Sequence, residues 1–183
     1  MLTLGVIADT HLPDRARNLH PAVLPTFEKA NVAAILHAGD MSIPRALGEL
    51  AAVAPVYAVR GNRDWLGFGD LPMTRVLTFE QVRIGMTHGH GGWGKYLVAK
   101  VKFLLRGPQP FRITKERALR LLPDDVDVVI FGHNHSVMNF IEDGKLIFNP
   151  GSACCQIPRH LPPSVGLLHI DGDKVEGEIV DLA

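Results

Sequence analysis

The chain has 183 residues, of which 46% are hydrophobic and 21% charged, an ordinary globular balance with enough apolar material for one well-buried domain. Formal net charge is zero, which argues against a protein devoted to coating nucleic acid, and no apolar run approaches the length that spans a bilayer. The N-terminus passes directly into a strand-like run without a basic region or cleavage site, so a cytoplasmic location with no membrane partner is expected.

In chain order, the first third alternates between two periodicities. Strands are expected over 2–8, 32–37 and 55–59, and helices near 21–30 and 43–53. Such alternation implies right-handed βαβ crossovers and a parallel sheet. Further strands are expected over 82–87 and 126–131, with helical stretches near 97–106 and 114–121 between them. After His135 the segments 136–141, 145–149, 165–170 and 174–180 read as strands. Glu142-Asp143-Gly144 and Asp171-Gly172-Asp173 read as hairpin loops between them. The only cysteines, Cys154 and Cys155, are adjacent, so they form no ordinary long-loop disulfide and read as buried small side chains of a reducing compartment.

Five polar clusters sit where apolar strand-like runs stop: Asp9-Thr10-His11, Gly39-Asp40, Gly61-Asn62-Arg63-Asp64, His88-Gly89-His90 and Gly132-His133-Asn134-His135. The carboxyl edge of an α/β sheet is where ligand sites form, so five strand ends are expected to converge. Asp9, His11, Asp40, Asn62, His88, His133 and His135 offer carboxylate, amide and imidazole donors that suit two hard or borderline divalent ions. Any one fragment is a weak signal, and their occurrence together in this order is a strong one. His20, His37, His160 and His169 lie outside the clusters and read as core or surface histidines.

At these residues the chain resembles the calcineurin-like metallophosphoesterase superfamily, whose pattern is Asp-x-His, Gly-Asp, Gly-Asn, a lone His, and Gly-His-x-His. Thr87-His88-Gly89-His90, Asn149-Pro150-Gly151-Ser152 and the small size further resemble its compact bacterial and archaeal phosphodiesterase branch. The resemblance runs from Leu2 to about Val180 and implies an α/β fold, a four-layer α/β/β/α sandwich in a single domain over 1–183. It also implies a phosphoesterase, foremost a phosphodiesterase, in which a metal-bridging hydroxide attacks phosphorus of a small diester or monoester substrate. Transferred residue by residue, Asp9, His11 and His135 hold one metal, Asn62, His88 and His133 the other, and Asp40 bridges. Mn²⁺ is the first choice, with Zn²⁺, Fe or Ni²⁺ able to occupy the same positions. Two alternatives stand beside this reading: a protein-interaction scaffold like the retromer subunit of the same fold, and a nuclease. No stable nucleic-acid partner is expected, and a homodimer is open.

The residue after Gly61-Asn62 departs from the family pattern, which carries His there, or Cys in the compact branch. Arg63 is no general acid, but its guanidinium can grip a phosphate; contact with substrate or with Asp64 is expected, or else a surface ion pair. Asp64, His90 and Arg63 are the candidate catalytic residues, with His90 either protonating the leaving group or orienting His88. From Trp93 to Arg120 there are eight basic residues and one acid, Glu116. This segment, about 92–121, reads as a helical cap-like insertion that steers anions, with Trp93, Tyr96 and Phe103 available to stack on a base.

Overall fold

The computed structural model describes residues 1–64, 70–91, 112–157 and 160–182. Two five-stranded sheets face each other. The first contains β1 (Leu2–Ile7), β2 (Ala34–His37), β3 (Val56–Ala58), β9 (Ser164–Asp171) and β10 (Lys174–Asp181), in the order β10-β9-β1-β2-β3. The second contains β4 (Thr74–Phe79), β5 (Val82–Thr87), β6 (Val128–Ile130), β7 (Val137–Glu142) and β8 (Lys145–Pro150), in the order β4-β5-β6-β8-β7.

The pleat sends successive side chains to opposite faces. Leu4, Val6 and Leu36 therefore meet Ile84, Met86, Ile130 and Phe148 in the core between the sheets. Ile7 and Ile35 point outward, where α1 (Val23–Lys29) and α2 (Arg45–Ala51) cover the first sheet. Each of these helices buries an i, i+4 pair, Val23 with Phe27 and Ala46 with Leu50. Pro25 is tolerated because it lies in the first turn, where its missing N–H has no intrahelical partner to lose. On the far side α3 (Arg112–Leu121) packs Ala118, with Leu122 just beyond it, against Val129, Phe131 and Ile147. The layers run α/β/β/α, as the resemblance implies.

Three features depart from the sequence reading. The C-terminal strands, which read as a run of antiparallel strands facing a mixed sheet, are divided between the two sheets: β7 and β8 join the second, while β9 and β10 extend the first through an antiparallel pairing of β9 with β1. β4, an edge strand paired with β5, falls in a stretch to which no element was assigned. The part of the supposed cap over Arg112–Leu121 is the outer helical layer of the sandwich, with Lys115 bonded to Glu142 at 2.6 and 2.7 Å. The remainder of that segment, including Trp93, Tyr96, Phe103 and Lys95 to Arg106, lies outside the described residues. Among the described residues no helix is long and apolar enough to cross a membrane.

Candidate metal centre

β1, β2 and β3 run parallel in one sheet and β5 and β6 in the other, so their carboxyl ends deliver the five clusters to one edge. Asp9, His11, Asp40, Asn62, His88 and His135 are all buried to 5% exposure or less, and His133 is half-buried. Five of the seven adopt left-handed backbone: Asp9 (φ 53°), His11 (φ 50°), Asp40 (φ 58°), His133 (φ 73°) and His135 (φ 52°). Residues with a Cβ avoid that region, and its use at ligand after ligand shows that the loops are held by their surroundings.

Two sets of donors emerge. Asp9, His11 and His135 each place one ligand atom within 4.8 Å of the others, and so do Asp9, Asp40 and His88. The two oxygens of Asp40 face different sets, Oδ1 lying 3.3 Å from His88 Nε2 and Oδ2 3.9 Å from His11 Nε2. That is the disposition a bridging carboxylate needs, although Asp9 also belongs to both sets. Asn62 Oδ1 stands 3.2 Å from His88 Nε2. The His133 ring packs edge-on to that of His88 at 5.1 Å, and its backbone N–H donates to Asp9 Oδ2 at 2.9 Å.

The chemistry of these donors fits a pair of cations. His88 Nδ1–H donates to Ala38 O at 2.8 Å and His135 Nδ1–H to Cys155 O at 2.7 Å. Each bond fixes the tautomer, so a neutral ring presents its Nε2 lone pair inward. His135 Nε2 then faces His11 Nε2 at 3.0 Å and Asp9 Oδ1 at 3.4 Å. Asp9 Oδ1, fully buried, has no hydrogen-bond partner among the described residues. His88 Nε2 likewise faces two oxygens. Converging electron-pair donors with no hydrogen between them repel unless a cation or an added proton lies among them.

Electrostatics tells the same story in protons. Burial opposes charge on His88, but Asp40 beside it raises the ring to about 9. Burial also opposes charge on His135, yet Asp9 raises it to about 8. Burial pushes Asp9 up to about 6, whereas Asp40, despite its own burial, is held well below the usual carboxylate range by His88 and His11. Desolvation lowers His11 to about 4 and His133 to about 3. At neutral pH two imidazoliums can therefore balance two carboxylates in the positions divalent ions would take, and loading would release protons.

The candidate catalytic residues divide by position. Asp64 touches no open space: Oδ2 accepts the N–H groups of Asp40 at 2.9 Å and Gly61 at 2.7 Å, and Oδ1 accepts that of Ser42 at 2.8 Å. This candidate catalytic carboxylate ties the Asp40 loop to the Asn62 turn, which is the geometry of a positioning residue. Burial raises its pKa against the pull of those amides. Gly61 is required at this crossing because a Cβ there would overlap the Asp40 amide nitrogen and Oδ1. Arg63 pairs with Asp14 at 2.8 Å on the rim, and not with Asp64; its backbone N–H, in contrast, donates to Asp40 Oδ1 at 2.8 Å. His90 is buried 5.4 Å from the His88 ring, with Nδ1 unpartnered among the described residues, and burial lowers it to about 4.

Other contributors escaped the sequence reading. His37, taken as an uninvolved histidine, accepts the Gly39 N–H at Nδ1 (3.1 Å), and its Nε2 lies 3.3 Å from Thr10 Oγ1, bracing two ligand loops at once. Ser152 donates to Asp9 O at 2.8 Å, and Asn149 Nδ2 donates to Gly132 O at 3.2 Å and Asn134 Oδ1 at 2.8 Å. A histidine closing an apolar run was the one visible cue to His37; Asn149 and Ser152 stood out only through the resemblance.

The model of the calcineurin-like phosphoesterase superfamily domain matches residues 2–173. The chain belongs to that superfamily. A probable metallophosphoesterase of Methanothermobacter thermautotrophicus is 35% identical over 179 residues, covering 98% of this chain and 92% of the relative. Among solved structures, Vacuolar Protein Sorting 29 from Cryptosporidium parvum superposes with a TM-score of 0.73 at 25% identity, covering 100% of this chain and 92% of that one. Wild-type Vps29 of Entamoeba histolytica complexed with Zn²⁺ superposes at 0.67, again at 25% identity, with both chains fully covered. This calcineurin-like phosphoesterase thus has the fold, and candidate ligands for divalent metal, that its sequence suggests.

Proposed function

We propose that this phosphoesterase is a binuclear metal-dependent phosphodiesterase acting on a small substrate. The observation that carries the proposal is the inward convergence of His11, His88 and His135 Nε2 on Asp9, Asp40 and Asn62 oxygens, an arrangement that needs either added protons or cations among the donors. Two divalent ions supply, when bound, Lewis acidity toward phosphoryl oxygens and a water-derived nucleophile ionised near neutral pH.

The chain's own part is to hold and orient. Asp9, His11 and His135 would hold one ion, Asn62, His88 and His133 the other, with Asp40 between them. Only two of the seven donors carry charge, so the centre stays cationic enough to attract a phosphate ester. The Ala38 and Cys155 carbonyls keep imidazole Nε2 atoms turned inward, and Asp64 keeps Asp40 and Asn62 in register. His90, neutral at physiological pH, packs on the ligand rings and orients them. A pocket of about 480 Å³ lined by Arg15, Cys154, Cys155, Gln156 and Ile157 lies beside His135, on its Nδ1 side. Mn²⁺ suits the mixed oxygen and imidazole donors.

The test is a substrate profile of purified protein with Mn²⁺, Zn²⁺, Ni²⁺ or Fe²⁺ against aryl diesters, aryl monoesters and cyclic nucleotides. Diester hydrolysis should exceed monoester hydrolysis, and Asp40→Asn should abolish it while circular dichroism stays unchanged. Metal bound at these residues without turnover of any ester would instead support a protein-interaction scaffold, a reading the likeness to Vps29 structures keeps in contention.

A further inference from the structure

Cys154 and Cys155 lie outside the ligand set, yet both are free, partly exposed, and part of the lining of the pocket beside His135. Arg15 Nη1 donates to Cys155 Sγ at 3.4 Å, and the same sulfur stands 3.6 Å from His135 Nδ1. Cys154 is the next residue along the chain, so a second thiol lies within reach of the first. Oxidisable cysteines combine access, a neighbouring cation and a second thiol able to resolve the first product. All three meet here.

The backbone of these two residues is also part of the metal centre. Cys155 O accepts the His135 Nδ1–H at 2.7 Å. The N–H groups of Cys154 and Cys155 donate to Ser152 Oγ at 3.2 and 3.0 Å, and that hydroxyl donates to Asp9 O at 2.8 Å. One short strap therefore positions ligands from two different strand ends.

We infer that Cys155 is a covalent modification site for a small peroxide, resolved by Cys154, and that its modification loosens the His135 side of the metal centre. In the first step the Cys155 sulfur attacks one oxygen of hydrogen peroxide, the O–O bond breaks, and sulfenic acid and one water result. In the second the Cys154 sulfur displaces that hydroxyl, forming the S–S bond and a second water. Two electrons pass from the dithiol to the peroxide, and both thiol protons leave in the waters. Adjacent Cα atoms are about 3.8 Å apart, closer than the roughly 4.4–6.8 Å usual for disulfides. The product is strained and therefore readily reduced by thiols, as labile disulfides are. Closing its ring turns the Cys154–Cys155 peptide, pulling the Cys155 N–H from Ser152 Oγ, and displaces the Cys155 Cα from which the carbonyl bonded to His135 projects. The modification stands independently of the proposed activity, while its effect on the centre rests on the metal-site reading.

The experiment titrates the full chain with hydrogen peroxide and reads intact mass, dimedone trapping and the Mn²⁺ dissociation constant. Wild-type protein should lose about 2 Da, reversibly with dithiothreitol, and bind Mn²⁺ about tenfold more weakly, the scale of lost outer-shell support. Cys154→Ser should accumulate dimedone-trapped sulfenate at Cys155, and Cys155→Ser should show neither mass change nor peroxide-dependent loss of affinity. Absence of product at Cys155 in both wild type and Cys154→Ser overturns the modification site. A disulfide that leaves Mn²⁺ affinity unchanged, or an equal loss in Cys155→Ser, overturns the coupling to His135. The mass readouts decide the first point even if the protein hydrolyses no phosphate ester.

Discussion

Asp64 offers the sharpest separation between a catalytic and a positioning carboxylate. Its oxygens accept three backbone N–H groups from two loops, and the residue is 5% exposed. Hydrogen bonds to a charged acceptor contribute about 1.5–3 kcal/mol each, and buried donors left unpaired cost about 1–3 kcal/mol. Asp64→Ala strands three amides at once. Allowing for water entry and non-additivity, a loss of roughly 3–6 kcal/mol is expected, a large part of the ~5–15 kcal/mol typical of a domain. Asp64→Asn is milder. Its amide oxygen can take the place of Oδ2 and keep Asp40 and Gly61, while its NH₂ group confronts the Ser42 N–H; the loss should be about 1–3 kcal/mol. Urea unfolding gives both values, and isothermal titration with Mn²⁺ gives the affinity. Affinity should fall with stability in Asp64→Asn, while the pH profile of any residual turnover keeps its shape. An Asp64→Asn protein of wild-type stability and metal affinity but altered pH profile would refute the positioning role.

His37 should make the fold acid-sensitive. Its pKa is lowered to about 3, first by burial and then by the charge of His88, so the unfolded chain binds a proton from pH 6.5 downward that the folded ring refuses. Its contribution is complete above pH 6.5 and is lost as pH falls toward 3, with a slope of up to about 1.4 kcal/mol per pH unit. In His37→Asn the amide oxygen can still accept the Gly39 N–H, and urea midpoints measured from pH 6.5 to 4 should fall less steeply than in wild type; parallel slopes would contradict the assignment. Arg63→Ala removes a partly exposed ion pair but leaves the backbone N–H on Asp40, so unfolding should change by less than about 1 kcal/mol and kcat by little. A large rise in KM with kcat preserved would return the guanidinium to the phosphate.

The seven candidate ligands were legible because their clusters interrupt apolar runs at the points where buried strands must end, a local pattern that requires no knowledge of the partners. What surrounds them was not. The amides on Asp64 come from residues 40, 42 and 61, and nothing near position 64 announces that two loops cross there. Sheet membership was hidden for the same reason: β9 pairs with β1 across most of the chain, and a strand carries no local mark of which sheet it will join. β4 was missed because its residues are neither strictly alternating nor uniformly buried, as suits an edge strand. Arg63 and Asp64 are neighbours in sequence whose side chains diverge, one to Asp14 on the rim and one into the loops.

Left-handed backbone at five candidate ligand positions also sets the direction in which this site decays. Each such residue sits about 1–2 kcal/mol above the conformation its Cβ prefers, a strain glycine would not feel. At His11 and His135, therefore, relief of backbone strain and retention of the imidazole pull in opposite directions. Selection for folding alone would erode these residues, and only selection for what the centre binds opposes it. A descendant freed from that second demand could lose its ligands one by one and still keep both sheets, so the sandwich can outlast its chemistry.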